Sequence, residues 1–291
     1  MQIDKVRKPK PNLALHKIAM YHKIKGDNIF WDIAPACTII DEVYISCIFS
    51  WHKHLCDQWE GRAHMGGSGY SLEKTLPVEI EQLHPHINWG FTTRGCIRKC
   101  SFCVVPKKEG KIRPVADLLD IWDGKTKDIV LLDNNILSAP EHFKVICKQA
   151  REHKLRIDFN QGLDHRLLTD EMADEISTIR HKEYRFAFDH PKYSQTVEKA
   201  IENLQSRGIN RCSWYVLVNF DTTFQEDLWR LNFLRERNQN VYVQRYNKTG
   251  GQEYTAMARW GNQPHIFRGM TWEQFLNHPD NKRYEWIKDH A

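Results

Sequence analysis

The chain has 291 residues, 41% hydrophobic and 27% charged, with a net charge of +5 when histidine is neutral. That is enough apolar material for one large domain or two modest ones, and it argues against a disordered chain. Fifteen glycines and 11 prolines exclude collagen-like and low-complexity classes, and no run of about 18 apolar residues is present to span a membrane.

Met1 to Pro11 is basic with no apolar region behind it, so no secretory leader is expected and the expected compartment is the cytoplasm. Leu13, Leu15, Ile18, Ala19 and Ile24 then keep a helical spacing that Gly26 ends. Asn28 to Trp31 reads as a short strand. Glu42 to Phe49 reads as another, rich in β-branched and aromatic residues. A Gly-rich loop at 61–71 follows, without the lysine of a phosphate-cradling P-loop. Together these predict a small α/β layer over residues 1–86.

Beyond His84-Pro85 the pattern alternates. Strands are expected at Ile87–Thr92, Asp128–Leu132, Leu155–Phe159, Tyr184–Phe188, Ser213–Phe220 and Val241–Tyr246. Helices are expected at Pro114–Trp122, Ala139–His153, Thr169–Ile179, Tyr193–Arg207 and Thr223–Arg237, the third capped by Thr169 and the fourth ended by Gly208. Strands alternating with helices imply a parallel sheet. Right-handed crossovers curl such a sheet toward a barrel. Residues 87–246 are therefore expected to form a partial (β/α)6 TIM-like barrel, with its chemistry at the C-terminal ends of the strands. Residues 247–291 read as a C-terminal extension with one helix, Thr271–Asn277. There, Trp260 beside Arg259 is a candidate to stack on a nucleic-acid base.

Charge is unevenly spread. Residues 1–25 hold Lys5, Arg7, Lys8, Lys10, Lys17, Lys23 and Lys25 against Asp4. Residues 94–113 hold Arg94, Arg98, Lys99, Lys107, Lys108, Lys111 and Arg113 against Glu109. Both clusters are candidates for phosphate contact, with solvated surface charge as the ordinary alternative.

Eight cysteines in a chain without an export signal suggest metal or redox chemistry rather than disulfides. Cys96, Cys100 and Cys103 stand in C-x3-C-x2-C spacing just after the first expected barrel strand. Three thiolates on one tight loop suit three irons of a four-iron cluster and leave the fourth iron open. Zinc would need a fourth ligand, which distant histidines would have to supply. Cys37, Cys47 and Cys56 are spaced nearly evenly, Cys47 within an apolar strand, and are expected to be structural.

The segment Thr93 to Cys103, with Phe102 in the aromatic place before the last cysteine, resembles the signature of the radical S-adenosylmethionine superfamily. The resemblance covers residues 87–246. It implies a [4Fe-4S] cluster on Cys96, Cys100 and Cys103, S-adenosyl-L-methionine as second cofactor, and an external electron donor of the flavodoxin or ferredoxin type. In the family the second strand ends in a motif that binds the amino group of S-adenosylmethionine. Asp133, Asn134 and Asn135 occupy that place here and depart from the family's Gly-Gly-Glu pattern. By the same comparison Gln161 and Asp189 become candidates for ribose or substrate, and Asn219 for the adenine. Turn chemistry is the alternative at each.

The wording around the cluster is similar to methylthiotransferases and to cobalamin-type radical enzymes with a Rossmann-like N-terminal domain. Residues 1–86 resemble a shortened form of that domain. No Asp-x-His-x-x-Gly is present, so cobalamin is not expected. The implied function is a radical enzyme that abstracts hydrogen from a substrate, with a nucleotide or nucleic acid suggested by the basic clusters. A methylthiotransferase-like RNA modification enzyme and a non-catalytic metal-binding, nucleic-acid-binding module are the alternatives.

Overall fold

The computed structural model describes Gln2, residues 10–248 and residues 250–289. Asp4, Lys5, Arg7 and Lys8 of the N-terminal basic cluster lie outside the described residues. The chain forms two compact units, Met1–Ile129 and Val130–Ala291. The division falls within the segment that the sequence pattern assigns to the β/α repeats.

In the first unit, α1 (Leu13–Ile24) begins at Asn12, whose side chain accepts the Leu15 amide, and Gly26 follows at φ +88°. Asn28 to Trp31, expected as a strand, is irregular. Trp31 instead lies against His16 of α1, with ring centroids 4.7 Å apart. The expected strand Glu42–Phe49 shortens to β1 (Tyr44–Ser46), which pairs in parallel with β2 (His64–Gly66).

β2 and the turn after it occupy the segment expected to be a Gly-rich loop. Two of its glycines serve close backbone approach. A Cβ on Gly67, at φ +98°, would lie 2.3 Å from the Cys47 carbonyl oxygen, and one on Gly69 would lie 2.4 Å from the Phe49 carbonyl carbon. Cys47 and Cys56 are buried and Cys37 is exposed.

The unit continues through α2 (Val78–Glu81), β3 (Trp89–Gly90), β4 (Thr93–Arg94), α3 (Val105–Lys108), β5 (Arg113–Pro114) and α4 (Leu118–Ile121). The expected helix Pro114–Trp122 is reduced to the single turn of α4. Pro114 is spent on β5, which pairs antiparallel with β4, and the helix starts only behind the Asp117–Asp120 capping box. The expected strand Ile87–Thr92 shrinks to β3.

β6 (Asp128–Leu131) leads into the second unit, where the alternation is as expected. It runs α5 (Pro140–Glu152), β7 (Arg156–Phe159), α6 (Asp170–Thr178), β8 (Arg180–His181), β9 (Arg185–Ala187), α7 (Ser194–Gln205), β10 (Ser213–Val218), α8 (Phe224–Glu236) and β11 (Asn240–Arg245). β8 was not expected. β7 pairs in parallel with β8, and β10 pairs in parallel with β9 and β11. β6 lies beside β7. The Leu163 amide donates to Arg185 O at 2.8 Å and ties the segment after β7 to β9. Thr169 caps α6 as its sequence predicts, accepting from the Met172 amide. The result is a mixed α/β fold with parallel sheets.

Residues 252–277 add α9 (Gln252–Gly261), α10 (Pro264–Gly269) and α11 (Trp272–Asn277), where one helix was expected. α9 packs on β11. A Cβ on Gly261 would meet Val243 at 2.7 Å. Trp260 is fully buried, its Nε1–H donating to Met270 O at 3.0 Å, so its ring is not available to a base. Among the described residues no helix is long and apolar enough to cross a membrane.

Candidate functional site

In the first unit the site is the loop between β4 and β5. Gly95 sits at φ +86°, and a Cβ there would lie 2.2 Å from Lys111 O, so only glycine lets the two stems of the loop close. The stems are clasped by the β4–β5 pairing, by the Cys96 amide donating to Gly110 O at 3.2 Å, and by Arg94 Nε on Glu109 Oε2 at 2.7 Å. Arg113 donates to Glu109 O at 2.7 Å from the other side. The loop carries Cys96, Cys100, Phe102 and Cys103, all partly exposed. The Arg98 amide donates to Cys96 Sγ at 3.3 Å, and the Cys103 amide to Cys100 O at 3.0 Å. Among the described residues no three His, Cys, Asp or Glu side chains converge closely enough to hold a metal ion.

Part of the basic cluster around the loop is structural. Arg94 is paired with Glu81 and Glu109, and Lys108 donates to Ser71 O and Lys74 O. Lys99, Lys107 and Lys111 are exposed.

In the second unit the ends of β6, β7, β9 and β10 present the other candidates. Asp133 and Asn135 are buried, at 4% exposure each, and Asn134 is partly exposed. Asn135 Nδ2 donates to Asp164 Oδ2 at 3.1 Å, and Asp164 holds Arg166 at 2.7 Å. Arg166 in turn lies over the Tyr193 ring, 5.0 Å from its centroid. Asp189 feels both Arg166 and Asp164 as well as Arg230. The structure therefore brings Asn135 and Asp189 into one electrostatic neighbourhood. Burial pushes the Asp189 carboxyl above the ordinary range, while Arg230, the Leu217 amide at 3.4 Å and Arg166 pull it back. Gln161 is exposed at the tip of the turn after β7, before Gly162 at φ +89°.

Asn219 sits at φ +60°, a left-handed conformation that asparagine tolerates. Its amide donates to Asp227 Oδ2 at 2.9 Å. Asp227 and Arg230 of α8 form a fully buried ion pair. Arg230 donates to Phe188 O at 2.5 Å and Leu217 O at 2.8 Å, the residues next to Asp189 and two before Asn219. One arginine thus ties the ends of β9 and β10 together. Sequence reading missed Asp164, Arg166, Asp227 and Arg230. Asp227 and Arg230, an i,i+3 charge pair on an expected surface helix, look solvated until their burial is known.

No family model matches the chain. The CDK5RAP1-like protein of Oryza sativa subsp. japonica is 30% identical over 113 residues, 34% of this chain and 18% of that protein. The mitochondrial tRNA methylthiotransferase CDK5RAP1 of Mus musculus is 30% identical over 138 residues, 42% of this chain and 23% of that protein. The chain thus spans less than a quarter of the length of these curated relatives. In fold it is similar to TsrM from Kitasatospora setae, a radical S-adenosylmethionine methyltransferase whose structure holds cobalamin and a [4Fe-4S] cluster. The TM-score is 0.58 at 12% identity, over 83% of this chain and 71% of that one. The chain is thus similar over part of its length to a tRNA methylthiotransferase, and in fold to a radical S-adenosylmethionine methyltransferase.

Proposed function

We propose that this chain binds one [4Fe-4S] cluster through Cys96, Cys100 and Cys103, binds S-adenosyl-L-methionine, and uses it to abstract hydrogen from a substrate. The observation that carries the reading is the Gly95-hinged loop with three thiols and an amide on Cys96 Sγ. The donor set fits the cluster, because soft thiolates suit iron and three of them leave one iron for a second cofactor. When bound, the cluster supplies the electron that splits S-adenosylmethionine into methionine and a 5′-deoxyadenosyl radical.

The remaining chemistry is positioning by the chain. Asp133, Asn134 and Asn135 receive the ammonium of the cofactor, Gln161 and Asp189 its ribose or the substrate, and Asn219 its adenine, while Phe102 flanks the cluster loop. This reading treats residues 1–86 as a small Rossmann-like layer, 87–246 as a partial (β/α)6 barrel and 247–291 as an extension. An external flavodoxin- or ferredoxin-type donor supplies the electron. The exposed lysines of the cysteine loop favour a phosphate-bearing substrate, a nucleotide or nucleic acid, in the cytoplasm. Cobalamin is not part of the proposal, because the Asp-x-His-x-x-Gly sequence is lacking.

A second reading, RNA methylthiotransfer, is favoured by the likeness to the mouse tRNA methylthiotransferase. It needs a second cluster. Burial of Cys47 and Cys56, at 0% and 1% exposure, speaks against their serving as its ligands.

Anaerobic reconstitution followed by iron and sulfide analysis tests both readings. We expect close to four of each, with absorbance near ~400 nm, lost when Cys96, Cys100 and Cys103 are changed together to Ala. Retention of the full cluster in that variant would overturn the ligand assignment. Loss of about half the iron from a folded Cys37/Cys47/Cys56→Ser variant would revive methylthiotransfer.

A further inference from the structure

The first unit contains a cavity of about 220 Å³ between α1, the segment after α2, β3, β4 and α4. Leu13, Trp89, Phe91 and Ile121 give it apolar and aromatic walls. Lys17, Arg94 and Arg113 reach the same cavity against a single lining carboxylate, Glu81. Lys10 lies over the Trp89 ring, 4.9 Å from its centroid.

Lys17 is the unusual member. It sits on α1 with a side chain 7% exposed, its ammonium donating to the backbone oxygen of Glu81 and to Glu81 Oε1 at 3.2 Å. A lysine is seldom buried on the inner face of a helix. Burial lowers its pKa, Arg94 adds to the lowering, and Glu81 only partly offsets it. Glu81 is also shared with Arg94, at 3.2 Å. The ammonium is thus withdrawn from water with Glu81 as its counter-charge. Arg94 is balanced mainly by Glu109, at 2.7 Å, so Arg113 leaves the cavity with an excess positive charge that an entering anion would neutralise.

Size and wall chemistry narrow the ligand. At about 30 Å³ per water the cavity corresponds to roughly seven waters. That is below the roughly 300–1,000 Å³ that drug-sized ligands occupy, and too small for a nucleoside cofactor. Trp89 and Phe91, the latter under the Arg94 guanidinium at 4.4 Å from its centroid, are walls against which one planar ring would lie with its anionic group toward Lys17.

We propose that this cavity is a binding site for a small aromatic anion, a single ring bearing one carboxylate or phosphate. The site belongs wholly to the first unit and shares Arg94 and Arg113 with the stems of the cysteine loop.

Isothermal titration of the full-length protein with benzoate and with phenyl phosphate tests the proposal and distinguishes the two anionic groups. We expect one of them to saturate a single site. Lys17→Met, which keeps the apolar stem, should weaken binding about ten- to a hundredfold. Arg113→Gln should weaken it about two- to fivefold, with circular dichroism checking that loss of the hydrogen bond to Glu109 O leaves the fold intact. Lys148→Ala, at an exposed site in the second unit, should bind as wild type does. Failure of both anions to saturate, or wild-type affinity in both Lys17→Met and Arg113→Gln, would overturn the proposal.

Discussion

Replacing Asp227 with Ala removes one side of the ion pair that α8 buries. Asp227 and Arg230 are both 0% exposed. The replacement leaves the Arg230 guanidinium in the core without its carboxylate. It also removes the acceptor of the Asn219 amide, 2.9 Å away, and a partner of the Thr222 hydroxyl. Arg230 keeps two neutral carbonyl acceptors, Phe188 O and Leu217 O, which do not balance its charge. Breaking a buried pair from one side costs about 3–5 kcal/mol, because a charge is left without compensation. Replacing both partners by apolar residues of similar volume is often close to neutral. Urea unfolding followed by tryptophan fluorescence should therefore show Asp227→Ala about 3–5 kcal/mol less stable than wild type. The double variant Asp227→Leu/Arg230→Met should recover at least half of that loss. A single variant that loses less than about 1 kcal/mol, or a double variant as unstable as the sum of its singles, would refute the compensation reasoning.

Three further outcomes are expected. His181 stacks on Tyr184 with ring centroids 3.9 Å apart, and burial pushes its pKa from 6.5 down to about 3. The unfolded chain therefore binds this proton more readily than the folded one between those values, so stability falls as pH drops below 6.5. The loss at pH 5 is about 2 kcal/mol from this group, and urea titrations of wild type and His181→Phe at pH 7.5 and 5 should differ by that much. Gly95→Ala strains a left-handed position against Lys111 O. Thermal melting should fall, by a strain of about 1–3 kcal/mol, and iron uptake should fall with it, while full iron content at an unchanged melting temperature would contradict the loop geometry. Asp133→Ala should weaken S-adenosylmethionine binding about ten- to a hundredfold with iron content unchanged, checked by equilibrium dialysis; equal affinity would remove Asp133 from the site.

Legibility in the sequence followed the source of each signal. The second unit's alternation was readable because its helices bury regular apolar faces, such as Val197, Ala200, Ile201 and Leu204 on α7. Thr169 and Gly208 were readable because capping is local chemistry. The segment 61–71 was misread because glycine marks both loops and close backbone approach, and only the position of Cys47 and Phe49 decides between them. Asn28–Trp31 was misread because two aromatic residues suggested a strand while Trp31 was committed to α1. α9 and α10 were passed over as a tail, although Tyr254, Met257 and Trp260 are buried together on one helix. At the site, the cysteines were legible from spacing alone. Arg166 and Arg230 were not, because their local partners Asp164 and Asp227 look like solvated charge pairs, and the Tyr193 ring and the Phe188 and Leu217 carbonyls they also hold lie elsewhere in the chain.

The central claim is that the chain reductively cleaves S-adenosylmethionine, and chromatography of an anaerobic reaction measures it directly. Protein carrying its cluster, reduced and supplied with S-adenosylmethionine, should release 5′-deoxyadenosine and methionine in equal amounts, slowly when no substrate is present. The Cys96/Cys100/Cys103→Ala variant should release none. Absence of 5′-deoxyadenosine from the cluster-replete, reduced wild-type protein would contradict the account.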